Sequence, residues 1–309
     1  MDGLIFLFLA FLTIYFSIKL SYYGDLYSKQ SKLGSLFIGG LLIASITSLP
    51  EFVTSISASL LNNPSLSFGD ILGSNLFNIF VLAVYNIYFL RKCIFKKSSK
   101  KYIFECIILI LDYVFIFLGS NNILPFLTSF ILIINYFIYI YSLINNQSEE
   151  KETSKKEKYV LLKFFITSIL MIIVSIFLTI EADKITRMYP TFSSSTVGAI
   201  LLGITTSLPE VVTTFSLLQI NNYNMAISNM LGSNIFNFLV LSISDFFYKG
   251  EYIYYPLDEH SNIYIFGGII IMLLYLVTLI FKNRKNIFYF IISIFMMSIY
   301  LYIWYLQFI

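Results

Sequence analysis

The sequence predicts an all-α polytopic membrane protein, with ten transmembrane helices in two inverted five-helix repeats. Three observations carry that expectation. Of 309 residues, 58% are hydrophobic and only 12% charged, with mean hydropathy +0.82, whereas a soluble chain keeps about a quarter of its residues charged. Apolar runs of about 20 residues recur along the chain, the length that a hydrocarbon core about 30 Å thick demands of a helix. A polar motif set inside those runs is written twice at constant spacing. The dyad alternation of a transmembrane barrel is absent.

The elements follow in order. The first repeat, 1–145, holds helices over about 4–26, 34–61, 66–90, 102–119 and 123–145. The opening run, Leu4 to Leu20, has no basic leader and no small-residue cleavage site, so it reads as a membrane helix and not as a secretory signal. The segment 146–158 carries Glu149, Glu150, Lys151, Glu152, Lys155, Lys156, Glu157 and Lys158, the mixed charge of a solvated connector. The second repeat, 159–309, holds helices over about 159–183, 194–220, 224–247, 262–281 and 286–307.

Five helices per repeat is an odd number, so the two copies take opposite orientations. Loop charge fixes which way round. With the N-terminus outside, the inner side carries Lys29, Lys32, Arg91, Lys92, Lys96, Lys97, Lys100, Lys101, Lys151, Lys155, Lys156, Lys158, Lys163, Lys282, Arg284 and Lys285. The outer side carries Lys184, Arg187 and Lys249, and basic residues concentrate on the cytoplasmic side of membrane proteins. Both termini are therefore expected outside and the connector in the cytoplasm. Cys93 and Cys106 flank an inner basic loop, where a disulfide is not expected. The single histidine, His260, falls in a polar loop, which excludes a histidine-based zinc or proton-relay site within the membrane.

The duplicated motif carries the chemistry. The first copy reads Thr47-Ser48-Leu49-Pro50-Glu51 and then Gly69-Asp70-Ile71-Leu72-Gly73-Ser74-Asn75; the second reads Thr206-Ser207-Leu208-Pro209-Glu210 and then Ser228-Asn229-Met230-Leu231-Gly232-Ser233-Asn234. Glu51 and Glu210, Asp70 and Asn229, and Asn75 and Asn234 are all 159 residues apart. One structural unit is thus used twice without slippage. Thr47 and Ser48 lie four and three residues before Glu51, on one helical face. Pro50 has no amide hydrogen to offer the carbonyl of Ile46, and a carbonyl freed in hydrocarbon must find another donor or a cation. Carboxylate, hydroxyls and loosened carbonyls at one depth form an all-oxygen environment suited to hard cations and unsuited to zinc or copper. Glycines and serines around Asp70 and Asn229 allow close helix approach, and Asn75 and Asn78 are placed to brace neighbouring backbone. No Lys, Arg or His occurs in 34–61, 66–90, 194–220 or 224–247. Each midplane acid costs about 3 kcal/mol on insertion scales unless compensated, so the counter-charge must come from a bound cation or from protons.

At these residues the chain resembles the cation/calcium exchanger superfamily, in its Na⁺/Ca²⁺ exchanger-like prokaryotic ten-helix branch. The resemblance implies ion ligation by Glu51, Asp70, Glu210 and Asn229. It further implies flanking sodium sites drawing on the hydroxyls of Thr47, Ser48, Thr206 and Ser207 and the carbonyls of Ala44 and Gly203. It also implies sliding of the first helix of each repeat, here 4–26 and 159–183, to alternate access. Ile46 and Thr205 stand where the family has glycine before Thr-Ser, and Leu66 and Met225 where members carry a small polar residue.

The expected function is antiport of Ca²⁺ against Na⁺ in the cell membrane at a midplane carboxylate site. The alternative is exchange of Ca²⁺, Mg²⁺ or Mn²⁺ for H⁺ on the same fold. A remote alternative is an intramembrane aspartyl protease with Asp70 and Asp112 as its dyad. Apart from the transported Ca²⁺ and Na⁺ (or H⁺) no cofactor is expected. The partners are inorganic cations and the lipid bilayer, not nucleic acid, and the chain is expected to work as a monomer. Asn86, Asp112 and Asn135 read as packing residues. Glu181 and Asp183, set against Asp25, read as an outer vestibule.

Overall fold

A computed structural model describes residues 2–31, 33–89, 93–98, 100–146, 157–188, 203–254, 259–282 and 284–306. The helices are α1 (Asp2–Gln30), α2 (Ser35–Thr47), α3 (Leu49–Leu60), α4 (Pro64–Tyr88), α5 (Ile94–Lys97), α6 (Tyr102–Ser120), α7 (Pro125–Asn145), α8 (Val160–Met188), α9 (Leu208–Gln219), α10 (Tyr223–Phe247), α11 (Glu259–Ile280) and α12 (Asn286–Leu306). Eight of them are long and apolar enough to cross a membrane, and α2 with α3, bent by 45°, form a ninth span among the described residues. The expected seventh helix is described from 203 onward, so 194–202 and residues 147–156 of the connector lie outside the described residues. Two expectations shift. His260 sits in the first turn of α11, not in a loop, and α5 is a four-residue helix that the hydropathy pattern does not reveal.

Exposure sorts the helices by role. In α4 and α10, which carry Asp70 and Asn229, 67% and 83% of the most apolar window is buried, against 17% in α1. The polar motif thus lies on helices sheltered from lipid, while Leu4, Leu7, Phe8 and Phe11 of α1 turn outward.

The chain forms two compact units that interleave the repeats: residues 1–50 with 140–233, and 51–139 with 234–309. In the first, Tyr27 near the end of α1 stacks on Phe164 near the start of α8, with ring centroids 6.0 Å apart. The two helices therefore run antiparallel, which overturns the pairing of Asp25 with Glu181 and Asp183, because these acids sit at opposite ends. Asp25 instead binds Lys29 at 3.0 Å and accepts a 2.7 Å hydrogen bond from Asn222, and Glu181 pairs with Lys184.

In the second unit, Asn75 Nδ2 donates to the carbonyl of Asn234 at 3.1 Å, and Asn234 Nδ2 donates back to the carbonyl of Asn75 at 3.0 Å. Asn78 Nδ2 reaches Asn234 Oδ1 and Asn237 Nδ2 reaches Asn75 Oδ1, both at 2.9 Å. Because each residue is 159 from its counterpart, the pattern maps onto itself when the copies are exchanged. That is the signature of a twofold axis. The expected bracing role holds, with the partner helix's backbone as its object.

The residues read as packing groups behave so. Asn86 donates to Ser293 Oγ at 2.9 Å and accepts from the amide of Phe95 at 2.9 Å, anchoring α5. Asn135 donates to Asp112 Oδ1 at 2.6 Å. Glycine allows α11 to press on its neighbours: a Cβ at Gly268 would lie 2.2 Å from the Tyr113 ring. Cys93 and Cys106 are buried free thiols.

Candidate ion-binding centre

The site begins with a broken helix. At Ser48 the backbone leaves the helical region (φ −89°, ψ 10°), and Ser207 does the same (φ −79°, ψ 2°). Each is followed by a proline in the first turn of the next half-helix, where a missing amide hydrogen is harmless. Glu51 and Glu210 both fall in that first turn. The unpaired N–H groups and the dipole there favour a carboxylate. The preceding half-helix contributes the opposite end. The Ala44 carbonyl accepts from Thr47 Oγ1 at 3.2 Å and the Ser48 amide at 3.1 Å, and the Gly203 carbonyl from Thr206 Oγ1 at 3.1 Å and the Ser207 amide at 3.2 Å. The two copies therefore fold alike at the motif.

The sequence does not foretell the π-helical turn over Ile38–Ile43 just upstream. Such turns recur at functional sites. Here it coincides with backbone contact: a Cβ on Gly232 would lie 2.2 Å from the Gly40 carbonyl oxygen, and one on Gly39 2.6 Å from the Met225 carbonyl oxygen. The Ser233 hydroxyl, next to Gly232, reaches the Ala44 carbonyl at 3.5 Å.

Glu51, Asp70, Glu210 and Asn229 are all buried, as are Thr47, Ser48, Thr206 and Ser207. The first unit contains Ala44, Thr47, Ser48, Gly203, Thr206, Ser207, Glu210 and Asn229; the second contains Glu51 and Asp70. Within the first, Ser48 Oγ donates to Glu210 Oε1 at 2.7 Å, although 162 residues separate them. Glu210 Oε2 is buried and has no hydrogen-bond partner among the described residues. Asn229 Nδ2 donates to Thr214 Oγ1 at 3.0 Å, while its Oδ1 is likewise buried without a partner there. Within the second, Ser55 Oγ donates to Asp70 Oδ2 at 3.4 Å. Ser55 and Thr214 escaped the sequence reading. Their signal is present: each is four residues after its glutamate, and they too are 159 apart.

Among the described residues, no three His, Cys, Asp or Glu side chains form a ready-made metal cluster. The oxygen supply is mixed, with hydroxyls, an amide and carbonyls beside the acids. This fits a hard, labile cation.

A family model described as sodium/calcium exchanger protein matches residues 2–145 and 160–309. The chain belongs to that family. It is a transporter family, so this exchanger is not an enzyme, and the protease reading falls with it. The exchanger is 26% identical over 213 residues to Uncharacterized membrane protein MJ0091 of Methanocaldococcus jannaschii, covering 67% of this chain and 69% of that one. To Inner membrane protein YrbG of Escherichia coli it is 23% identical over 246 residues, covering 74% of each. Its fold matches the sodium-calcium exchanger NCX_Mj soaked with 2.5 mM Na⁺ and 0.1 mM Ca²⁺, with TM-score 0.73, 20% identity and coverage of 97% of this chain and 96% of that one. An all-helical membrane fold of two repeats is thereby shown for the exchanger.

Proposed function

We propose that the protein is a secondary antiporter that exchanges Ca²⁺ for Na⁺ by alternating access. The proposed ligands are Glu51, Asp70, Glu210 and Asn229, flanked by the hydroxyls of Thr47, Ser48, Thr206 and Ser207 and the carbonyls of Ala44 and Gly203. The observation that carries this reading is the buried Glu210 Oε2, a carboxylate oxygen with no hydrogen-bond partner among the described residues, in a helical stretch that contains no basic residue. A buried oxygen of this kind is destabilising unless a cation or proton completes it.

Three carboxylates give a site charge near −3. One Ca²⁺, or several Na⁺, offsets that charge, and both draw on the same oxygens, so that binding one excludes the other. An uncompensated site resists passage through a dry, occluded state, which couples the two fluxes. The outward-facing apolar surface of α1 suits the sliding of the first helix of each repeat that the family resemblance implies. The protein is proposed to act as a monomer in the cell membrane, with both termini outside and the connector 146–158 in the cytoplasm.

A second reading, exchange of Ca²⁺, Mg²⁺ or Mn²⁺ for H⁺, rests on Leu66 and on the fully buried Met225, which supply no oxygen beside Asp70 and Asn229 from their side chains. The test is Ca²⁺ uptake into proteoliposomes driven by an outward Na⁺ or H⁺ gradient. Glu51→Gln and Glu210→Gln are expected to abolish uptake. Intact uptake in either variant overturns the site assignment, and uptake driven by H⁺ alone selects the second reading.

A further inference from the structure

We propose that Asp245 is a proton-sensitive latch: ionised, it holds the segment 248–254 against the end of α10, and protonation loosens that hold. The observation is a pair of equivalent contacts that differ in chemistry. Asp245 near the end of α10 and Asn86 near the end of α4 are 159 residues apart, the spacing of the duplicated motif. Each clasps the segment that leaves its helix. Asp245 Oδ1 accepts from the Ile253 amide, eight residues on, at 2.7 Å, and Asn86 Oδ1 accepts from the Phe95 amide, nine residues on, at 2.9 Å. Each also meets a serine on the last helix of the opposite repeat. Ser129 Oγ of α7 donates to Asp245 Oδ2 at 2.7 Å, and Asn86 Nδ2 donates to Ser293 Oγ of α12 at 2.9 Å. All of these residues lie in the second unit.

The two serine contacts run in opposite senses. An amide has one fixed donor and one fixed acceptor, and it does not titrate. A carboxylate accepts through both oxygens only while ionised, and a bound proton turns one of them into a donor. Hydrogen bonds to an ionised acceptor are about twice as strong as neutral ones. Ionised Asp245 therefore grips the Ile253 amide more firmly than a neutral group of the same shape does. Protonated Asp245 becomes the chemical equal of Asn86: one oxygen still accepts from the backbone while the other donates to the serine. The surroundings permit that reversal, because the Ser129 hydroxyl also lies 2.9 Å from the Tyr254 hydroxyl, a contact in which either can donate. The titratable groups facing the latch are Tyr254 and, behind it, Asp112 of α6, which Asn135 holds. Neither supplies a positive charge to fix Asp245 in its ionised form. Lys249 and Glu251 of the same segment are exposed, and Asp245 is itself partly exposed, so protons reach it. With the N-terminus outside, as proposed, Asp245 faces the outer side and Asn86 the cytoplasm. One side of the protein then senses acidity and the other does not, and only this assignment of sides rests on the proposed topology.

The experiment is amide hydrogen exchange of the full-length protein in detergent micelles between about pH 8 and about pH 4, the range over which a carboxylate gains its proton. Rates are resolved to the Ile253 and Phe95 amides and divided by the intrinsic rate at each pH. Protection at Ile253 is expected to fall about tenfold as the pH drops, the difference between a charge-assisted and a neutral bond. Protection at Phe95 is expected to stay level, which makes the Asn86 contact an internal control. Asp245→Asn is expected to hold Ile253 at the acid-limit protection throughout, and Asp245→Ala to lose that protection at every pH. Level protection at Ile253 in the unmodified protein overturns the proposal, and so does a fall in Asp245→Asn as large as that in the unmodified protein. An equal fall at Phe95 also overturns it, since it marks a loosening of the whole unit. The comparison of Ile253 with Phe95 needs no variant, so it decides the matter even where a substitution prevents folding. The readout is local to two amides, and its failure leaves the ion-centre assignment standing.

Discussion

Replacing Asn75 by alanine tests the twofold bracing of the two repeats. Asn75→Ala deletes the bond from Nδ2 to the Asn234 carbonyl and removes the acceptor of Asn237 Nδ2. Asn234→Ala deletes the bond to the Asn75 carbonyl and removes the acceptor of Asn78 Nδ2. Hydrogen bonds between helices in a membrane average about 0.6 kcal/mol, so each variant loses about 1 kcal/mol from two of them. The stranded, buried amide adds about 1–3 kcal/mol. Each variant is therefore expected to be destabilised by about 2–4 kcal/mol. Asn78→Ala and Asn237→Ala, which each lose one bond, are expected to cost about half as much. Equilibrium unfolding in mixed micelles measures all four. A neutral Asn75→Ala beside a severe Asn234→Ala, or the reverse, refutes the symmetric network.

Three other outcomes follow from the geometry. Ser48→Ala removes a 2.7 Å hydrogen bond to Glu210 Oε1; such bonds to charged groups contribute about 1.5–3 kcal/mol, so Ca²⁺ affinity measured by titration is expected to change at least about tenfold, against no change if the contact is idle. Gly232→Ala places a Cβ 2.2 Å from the Gly40 carbonyl oxygen, a clash with backbone that no side-chain rotation relieves. It is expected to destabilise by about 1–3 kcal/mol, read by thermal unfolding in detergent. Burial holds the Cys93 thiol above its ordinary range despite the opposing pull of Lys96. Because the thiolate is the reactive form and appears only as pH climbs past that raised value, maleimide labelling in intact membranes is expected to be slow at neutral pH and to accelerate well into the alkaline range. Rapid labelling at neutral pH contradicts it.

The sequence alone determined the elements and their duplication. Hydrocarbon thickness dictates apolar runs of a fixed length, so α1, α4, α6 to α8 and α10 to α12 were legible by counting. Proline acts on its own backbone, so the breaks at Ser48 and Ser207 were legible too, as were the buried acids beside them. What needed the tertiary structure was every partnership between distant segments. No local rule pairs Ser48 with Glu210, or Asn75 with Asn234, across some 160 residues. Nor does one twist Ile38–Ile43 into a π-helical turn where Gly40 meets Gly232. The antiparallel packing of α1 on α8, which sends Asp25 to Asn222 and away from Glu181, is equally invisible to periodicity. Local chemistry fixes which groups are buried in lipid and hungry for a partner, and only packing, through close approach at small residues, decides which partner each one meets.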